Sequence, residues 1–153
     1  IDQRLIGLFM KSWKYQGKPF TTDMVGDYEG FVYIVTDLSN GMKYIGKKNF
    51  HSRVKLKPLK GQKRKRTKIS ESDWQSYHGS SEEVKMLLEE HGYERFDRDI
   101  LHLCMGKGEM SYLEMKEQIV RDVLLKPDEY YNAFVGGKIH RNHVKNLCTS
   151  PKK

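Results

Sequence analysis

The stretch GFVYIVTDLSNGMKYIG, residues 30–46, carries the strongest structural signal in this chain. Residues 31–36 form a run of aromatic and β-branched side chains, which favours a buried β-strand. Asn40-Gly41 is a strong short-range signal for a tight hairpin turn. A second β-prone run follows at once over residues 42–45. We therefore predict a β-hairpin over residues 31–46.

The segments around this hairpin predict an α+β domain. A short amphipathic helix is expected over residues 2–13, and a connector containing Pro19 over residues 17–26. Downstream, the patterns predict a helix that begins at a Ser80/Glu83 capping box and ends at His91-Gly92. A strand over residues 96–104, a turn at residues 106–108 and a helix over residues 110–125 are expected to follow. The fold class that follows is a small antiparallel β-sheet of three or more strands, flanked by helices.

Length and composition limit the kind of protein. A chain of 153 residues fits one compact domain. We divide it into an N-terminal helix and connector (1–29), a core (30–134) that carries a basic insertion (47–70), and a basic tail (135–153). No apolar run approaches the roughly 18 residues of a membrane span. The two cysteines, Cys104 and Cys148, are not spaced as a metal or redox motif, which fits a reduced, cytoplasmic protein.

The positive charge of the chain is concentrated in one segment. The formal net charge is +8, yet residues 43–68 contain 12 Lys or Arg and no acidic residue, so the rest of the chain holds 16 basic and 20 acidic residues. Such a block repels itself unless it meets a polyanion, and nucleic acid is the commonest one. Part of it, broken by Pro58 and Gly61, is expected to be a mobile loop. A solubilising or nuclear-targeting tract is the alternative interpretation.

Two short motifs on the hairpin carry the chemistry. Gly30-Phe31-Val32-Tyr33 lies on the first strand and Tyr44-Ile45-Gly46 on the second, with ten residues between the tyrosines. The pair resembles the motif of the GIY-YIG nucleases, and residues 73–81 (DWQSYHGSS) resemble a block of phage-encoded members. The alternative is that the two tyrosines are ordinary cross-strand aromatics.

The resemblance implies a DNA endonuclease that hydrolyses phosphodiester bonds with a single Mg²⁺ or Mn²⁺. In that scheme a hairpin tyrosine, or water deprotonated with its help, attacks the phosphorus, an arginine clamps the phosphate, a glutamate holds the metal and an asparagine braces the site. The matching residues in this chain are Tyr33 for the attack, Tyr44 to orient water or phosphate, Arg53, Glu114 and Asn132. Arg53 lies seven residues past Gly46, one short of the spacing in many relatives.

Two glutamates compete for the metal. Glu114 and Gln118 resemble a glutamate-then-glutamine pattern of some members, whereas the distance to Asn132 selects Glu117. Ser111 and Glu114 also have the spacing of a capping box, in which case Glu114 would only begin a helix. We assign the metal to Glu114, with Glu117 as the alternative.

Proton transfer needs further groups. Tyrosine normally titrates near pH 10, so nearby lysines such as Lys43, Lys47 or Lys48 are expected to ease its loss of a proton. His78, beside Tyr77, is a possible base.

Two other functions remain open on sequence grounds: an inactive relative that only binds nucleic acid, and a basic protein-interaction module. The expected partner is DNA, in a bacterial or phage-infected cell, and the oligomeric state stays undetermined. The residues expected to touch DNA are basic and all lie in the insertion: Lys47, Lys48, Lys63, Arg64, Lys65, Arg66 and Lys68.

Overall fold

The protein is described from a computed structural model that covers residues 11–137 and 141–147. Within this part of the chain the strands are β1 (Lys14–Tyr15), β2 (Lys18–Pro19), β3 (Gly30–Asp37), β4 (Lys43–Asn49), β5 (His51–Leu56), β6 (Arg66–Glu71) and β7 (Phe96–Cys104). The α-helices found there are α1 (Glu82–His91) and α2 (Lys107–Val120), and short 3-10 helices lie at Thr22–Met24, Tyr93–Arg95, Val123–Leu125 and Arg141–Leu147. Strands β2-β1-β7-β3-β4, in that order, form the main sheet, while β5 and β6 pair with each other. The predicted α+β class is confirmed.

The motif hairpin is the antiparallel pair β3–β4, as predicted. Its register sets Tyr33 opposite Gly46 and Val35 opposite Tyr44. Strand β7 lies antiparallel on the other side of β3, and its bounds match the predicted third strand. Strand β4 is therefore the outer strand of the sheet, and the second motif lies on that edge.

The two faces of the sheet are packed differently. Because side chains alternate along a strand, Val32 and Ile34 point to one face, where they pack with Ile45, Met110 and Leu113 under helix α2. The opposite face of β3 carries Phe31, Tyr33 and Val35, which pack in a largely aromatic cluster with residues that include Trp13, Phe50 and Trp74. A strand buried on both faces has a continuous apolar sequence, which is what β3 shows.

A segment near the end of the core covers part of the sheet edge. The backbone of residues 129–131 hydrogen-bonds to Lys43 on β4. Next to it, the hydroxyl of Tyr131 donates to the buried carboxylate of Asp37 over 2.6 Å. Arg95 also holds Asp37 through two hydrogen bonds, and these contacts keep the pKa of Asp37 low although burial alone would raise it. The segment that carries Asn132 is thus fixed beside β4.

The helix starts differ from the predictions by a few residues. The N-cap of α1 is Ser81, whose hydroxyl accepts from the Val84 amide, so the Ser80/Glu83 capping box is wrong by one residue. The predicted C-terminal Gly92 is confirmed as the cap of α1. Helix α2 begins at Lys107, so the turn expected at residues 106–108 is shorter and Ser111 lies inside the helix. Ser111 and Glu114 therefore do not form a capping box.

Two predicted irregular segments contain strands instead. The connector over residues 17–26 includes β2, which pairs with β1, and β1 lies parallel to β7. Of the helix predicted over residues 2–13, residues 11–13 are not helical and the remainder lies outside the described residues. In the basic segment, Pro58 and Gly61 lie in a loop, as expected for part of it, and the residues on either side of this loop form a second hairpin in which Val54 pairs with Lys68. No helix in the described part of the chain is long and apolar enough to cross a membrane.

Candidate active site

A cleft of about 580 Å³ opens beside β4, at the outer edge of the main sheet. It receives side chains from both hairpin strands, from the start of α1, from α2 and from the segment after Tyr131. Residues of the motif pair and of the predicted metal site share this one cleft: Tyr33, Tyr44, Gly46, Glu114 and Asn132.

Gly46 lets the Tyr33 side chain reach the cleft. The two residues are direct partners across β3 and β4, and the Tyr33 ring lies over Gly46. A Cβ atom at Gly46 would collide with the Tyr33 hydroxyl. Gly79, with φ at +114°, makes room in the same way, since a Cβ there would lie 2.9 Å from the Tyr44 ring. The motif glycine is therefore required by space rather than by chain flexibility.

The buried position of Tyr33 changes its acid–base behaviour. Its side chain is only 1 % exposed. Burial raises the pKa of Tyr33 well above its usual range, and Tyr77, Tyr44 and Glu114 raise it further. This is opposite to the sequence-based expectation that nearby lysines would ease its loss of a proton. In the metal-free protein, Tyr33 is a protonated phenol at neutral pH.

Tyr44 is held by a serine at the opposite wall. Its hydroxyl and that of Ser80 are hydrogen-bonded over 2.7 Å. Burial raises the pKa of Tyr44, and the bond to Ser80 only partly opposes this. Tyr44 is therefore also a neutral hydroxyl, with a fixed orientation.

Glu114 and Glu117 lie in different surroundings although they are three residues apart on α2. Glu114 lines the cleft, and its pKa is raised by burial, with Lys47 and Gln118 partly offsetting the effect. Glu117 contacts His102 over 2.7 Å and Arg121 over 3.1 Å. Burial opposes ionisation of Glu117, but these two partners together lower its pKa. Glu117 is thus already paired and is not among the lining residues, so Glu114 is the one of these two carboxylates that faces the cleft.

Asn132 and Gln118 hold the motif strand in place. The Asn132 side-chain amide accepts from the Ile45 N–H and donates to the Ile45 carbonyl, over 3.0 and 2.8 Å. Gln118 donates to the same carbonyl over 3.1 Å. An edge strand would otherwise leave these backbone groups without partners. Because Ile45 lies between Tyr44 and Gly46, the two amides position both neighbours.

The two lysines after the motif have separate surroundings. Lys47 lines the cleft, and its ammonium donates to the Ser111 hydroxyl over 2.6 Å. Lys48 instead donates to Asp73 over 2.6 Å and lies 4.1 Å from the centre of the Tyr77 ring. Lys47 is therefore the cation nearest to Glu114 among the lining residues, whereas Lys48 fixes the loop that carries Tyr77.

Arg53 is not brought into this cleft. It lies on β5, and its guanidinium forms two hydrogen bonds with Glu29, of 2.6 and 3.2 Å. The Arg53 hydrogen bonds lower the pKa of Glu29. Arg53 is not among the residues that line the cleft. Its contacts assign it to the base of the β5–β6 hairpin.

His78 is also placed away from the cleft. It is 4 % exposed and packs against Tyr93 and Phe96. Burial, helped by the nearby Arg98 cation, lowers the pKa of His78 to about 3. The structure thus places His78 among core aromatics and not among the residues that line the cleft.

Tyr77 does not line the cleft, but it contacts the motif residue Tyr33, and this contact was not predicted from the sequence. Its ring packs edge-on against that of Tyr33, with 6.0 Å between the ring centres. The sequence pattern had pointed instead to its neighbour His78 as a possible base. The useful signal was the motif-like segment SYHGSS, whose Gly79 and Ser80 also contact the motif tyrosines.

Metal ligands are few. Within residues 11–137 and 141–147, no group of three or more His, Cys, Asp or Glu side chains is placed to hold a metal ion. Any cation at Glu114 would therefore depend on this carboxylate, water and substrate oxygens, an arrangement that suits Mg²⁺.

Comparisons with known proteins agree with the motif. Residues 13–135 match the family described as "Putative endonuclease segE, GIY-YIG domain". The chain is also 32% identical over 107 residues to "Putative endonuclease segE" of Enterobacteria phage T4. That match covers 70% of this chain and 42% of the relative, so the chain spans less than half of the relative's length. No solved structure matches the chain significantly. With the paired tyrosine motifs at the edge of the sheet and a family match over most of its length, the chain belongs to the GIY-YIG endonuclease domain family.

Proposed function

We propose that this chain is an endodeoxyribonuclease that hydrolyses phosphodiester bonds in DNA with one divalent cation, Mg²⁺ or Mn²⁺. The observation that carries the proposal is the convergence of Tyr33, Tyr44 and Glu114 on one cleft at the sheet edge. The phage origin of the relative supports action inside a phage-infected bacterial cell.

Glu114 is the residue proposed to hold the cation. It lines the cleft, and it makes no direct ion pair with any residue in the described part of the chain. Since burial raises its pKa, its ionised form lacks the compensation that a bound cation would provide. When bound, the cation would withdraw charge from a phosphate oxygen and ease the loss of a proton from water.

The chain's own side chains would then position the reactants. The Tyr33 hydroxyl would hold and orient the attacking water. As the water oxygen forms a bond to phosphorus, the bond to the leaving sugar oxygen breaks, and the proton that the water loses passes through solvent to the leaving oxygen. Tyr44, fixed by Ser80, orients the phosphate. Lys47 supplies the positive charge that the resemblance assigned to Arg53. Asn132 keeps the motif strand in register through its two bonds to Ile45.

A plasmid-cleavage assay tests the proposal. Supercoiled DNA should be nicked or linearised with Mg²⁺ or Mn²⁺ and left intact with EDTA. Glu114→Gln should abolish cleavage because it removes the charge but keeps the shape, and Glu117→Gln, three residues along the same helix, is the matched control that should retain most of it. Equal losses in both variants would count against the assignment of Glu114. DNA binding without cleavage under any metal condition would indicate a relative that only binds nucleic acid.

A further inference from the structure

The β5–β6 hairpin projects from the main sheet as a two-stranded arm. Its six residue pairs run from His51↔Glu71 to Leu56↔Arg66, and in the described part of the chain these strands pair only with each other. At about 3.4 Å per residue, the ribbon is roughly 20 Å long before its connecting loop. We call residues 51–71 the basic arm.

Neither face of the basic arm packs against the rest of the domain along most of its length. Strand β6 is exposed at every residue, and β5 is exposed from Ser52 to Lys55. Even the apolar side chains are open to solvent: Val54 is 52% exposed and Ile69 is 59% exposed. A two-stranded ribbon is marginal by itself in water, so a solvated ribbon of this kind points to a partner that covers it.

The charge of the basic arm identifies the kind of partner. Residues 51–71 contain nine Lys or Arg and one acid, Glu71. Because side chains alternate between faces, Lys55 lies on one face and its neighbours in the ladder, Arg66 and Lys68, lie on the other. The connecting loop adds Lys57, Lys60, Lys63, Arg64 and Lys65. Cations on both faces and at the tip suit a partner that is negatively charged on two sides.

The base of the basic arm is fixed to the motif strand. One residue, Phe50, separates β4 from β5, and it is 1 % exposed in the aromatic cluster. Ser72 closes the other end through bonds to the Phe50 and Asn49 carbonyls. Arg53 then ties β5 to Glu29 just before β3. The direction of the arm is thereby set relative to the cleft at the edge of β4.

We infer that the basic arm enters the major groove of duplex DNA, with Arg53 and Glu29 holding it at the correct angle to the active cleft. The major groove, about 12 Å wide, admits a two-stranded ribbon, whereas the minor groove, about 6 Å wide, is too narrow. The phosphates on both walls of the groove then meet the cations on both faces. The inference rests on the proposed function for the class of substrate, which is DNA. It adds that this DNA is a duplex and that the basic arm lies in its major groove.

Binding experiments in EDTA test the inference separately from cleavage. The probes are a short labelled duplex of mixed sequence and its single strand, titrated with protein over a range of salt concentrations. The variant Lys55→Ala/Arg66→Ala/Lys68→Ala should weaken duplex binding and flatten the plot of log affinity against log salt by about 0.9 for each phosphate that is no longer neutralised. The matched control, Lys18→Ala/Lys116→Ala/Lys126→Ala, removes the same charge from exposed positions outside the arm and should change the slope far less.

Groove choice is tested by competition. The major-groove ligand methyl green should displace the protein from the duplex, and the minor-groove ligand distamycin should not. Displacement by distamycin alone, equal binding to the single strand, or equal slopes for the arm and control variants would overturn the inference. Intact duplex binding without cleavage in the presence of any metal would instead refute the proposed nuclease activity, and the inference about DNA binding by the basic arm would still hold.

Discussion

The two β-hairpins of this domain are neighbours in sequence but are stabilised in different ways. The motif hairpin, β3–β4, is packed on both faces of β3, and its residues shape the cleft. The basic arm, β5–β6, is solvated on both faces and is held by strand pairing and by contacts at its base. A buried hairpin can fix reacting groups to fractions of an ångström, whereas a solvated one suits contact with a large charged surface. This difference fits the two proposed roles, with the reacting groups on the motif hairpin and the DNA contacts on the basic arm.

The largest effect is expected from disturbing the motif hairpin at Gly46. Gly46→Ala places a methyl group against the Tyr33 hydroxyl, so the ring or the strand must move. Overpacking of this kind costs about 1–3 kcal/mol in the free energy of unfolding. Displacement of a reacting group by about 1 Å can lower cleavage by about 100-fold. Thermal unfolding and single-turnover cleavage measure the two losses.

Gly106→Ala is the matched control, since nothing lies within 4 Å of an added Cβ there. Its cost should be limited to the small preference for glycine over alanine at an N-cap. Wild-type cleavage by Gly46→Ala would show that the Tyr33 side chain does not need the space above Gly46.

A smaller effect is expected at the joint between the two hairpins. If Arg53 anchors the basic arm, Arg53→Ala and Glu29→Gln should both weaken duplex binding by about 3- to 10-fold. This corresponds to a loss of around 1 kcal/mol in binding free energy, which fits a partly exposed ion pair. If Arg53 were instead a phosphate clamp, Glu29→Gln would release it and leave binding equal or tighter. The sign of the Glu29→Gln effect, measured by anisotropy titration, decides between the two roles.

The smallest effect concerns stability and pH. Folding raises the pKa of Glu114 above that of an ordinary glutamate. The metal-free wild type therefore loses stability as the pH rises from below the ordinary glutamate pKa to above the raised pKa of Glu114. Glu114→Gln should therefore be more stable than the wild type at neutral pH, and the difference should disappear in acid. Glu117 has a lowered pKa, so Glu117→Gln should be less stable than the wild type at neutral pH, and this loss should fade as the pH falls. Denaturant unfolding at several pH values gives both differences.

The contrast between the hairpins also explains what the sequence could predict. The β3–β4 hairpin and β7 were predictable because burial demands β-branched and aromatic residues and because Asn40-Gly41 marks the turn. The loop of the basic arm was predictable from Pro58 and Gly61, but its two strands were not, because these exposed strands carry lysines and threonine instead of an apolar pattern. That hairpin forms through pairing between its two strands, and the composition of either segment alone does not predict this pairing.

The candidate site was partly predictable for a related reason. Tyr33 and Tyr44 were predictable from the motif pair, and Glu114 and Asn132 from the family resemblance, and all four line the cleft. Arg53 was assigned a clamp role from the resemblance and its spacing after Gly46, and no local pattern pointed to its partner Glu29, which lies 24 residues earlier in the chain. His78 resembled a base in sequence, and only the packing of Tyr93 and Phe96 around it shows that it is buried.

If the motif hairpin and Glu114 form the divalent-metal site, metal binding can be measured without any need for cleavage. Titration with Mn²⁺, followed by the electron paramagnetic resonance signal of the free ion, makes that measurement. With duplex DNA present to supply phosphate oxygens, we expect the wild type and Glu117→Gln to bind Mn²⁺ and Glu114→Gln to lose the site. Unchanged Mn²⁺ binding by Glu114→Gln, or loss of binding only in Glu117→Gln, would contradict the assignment.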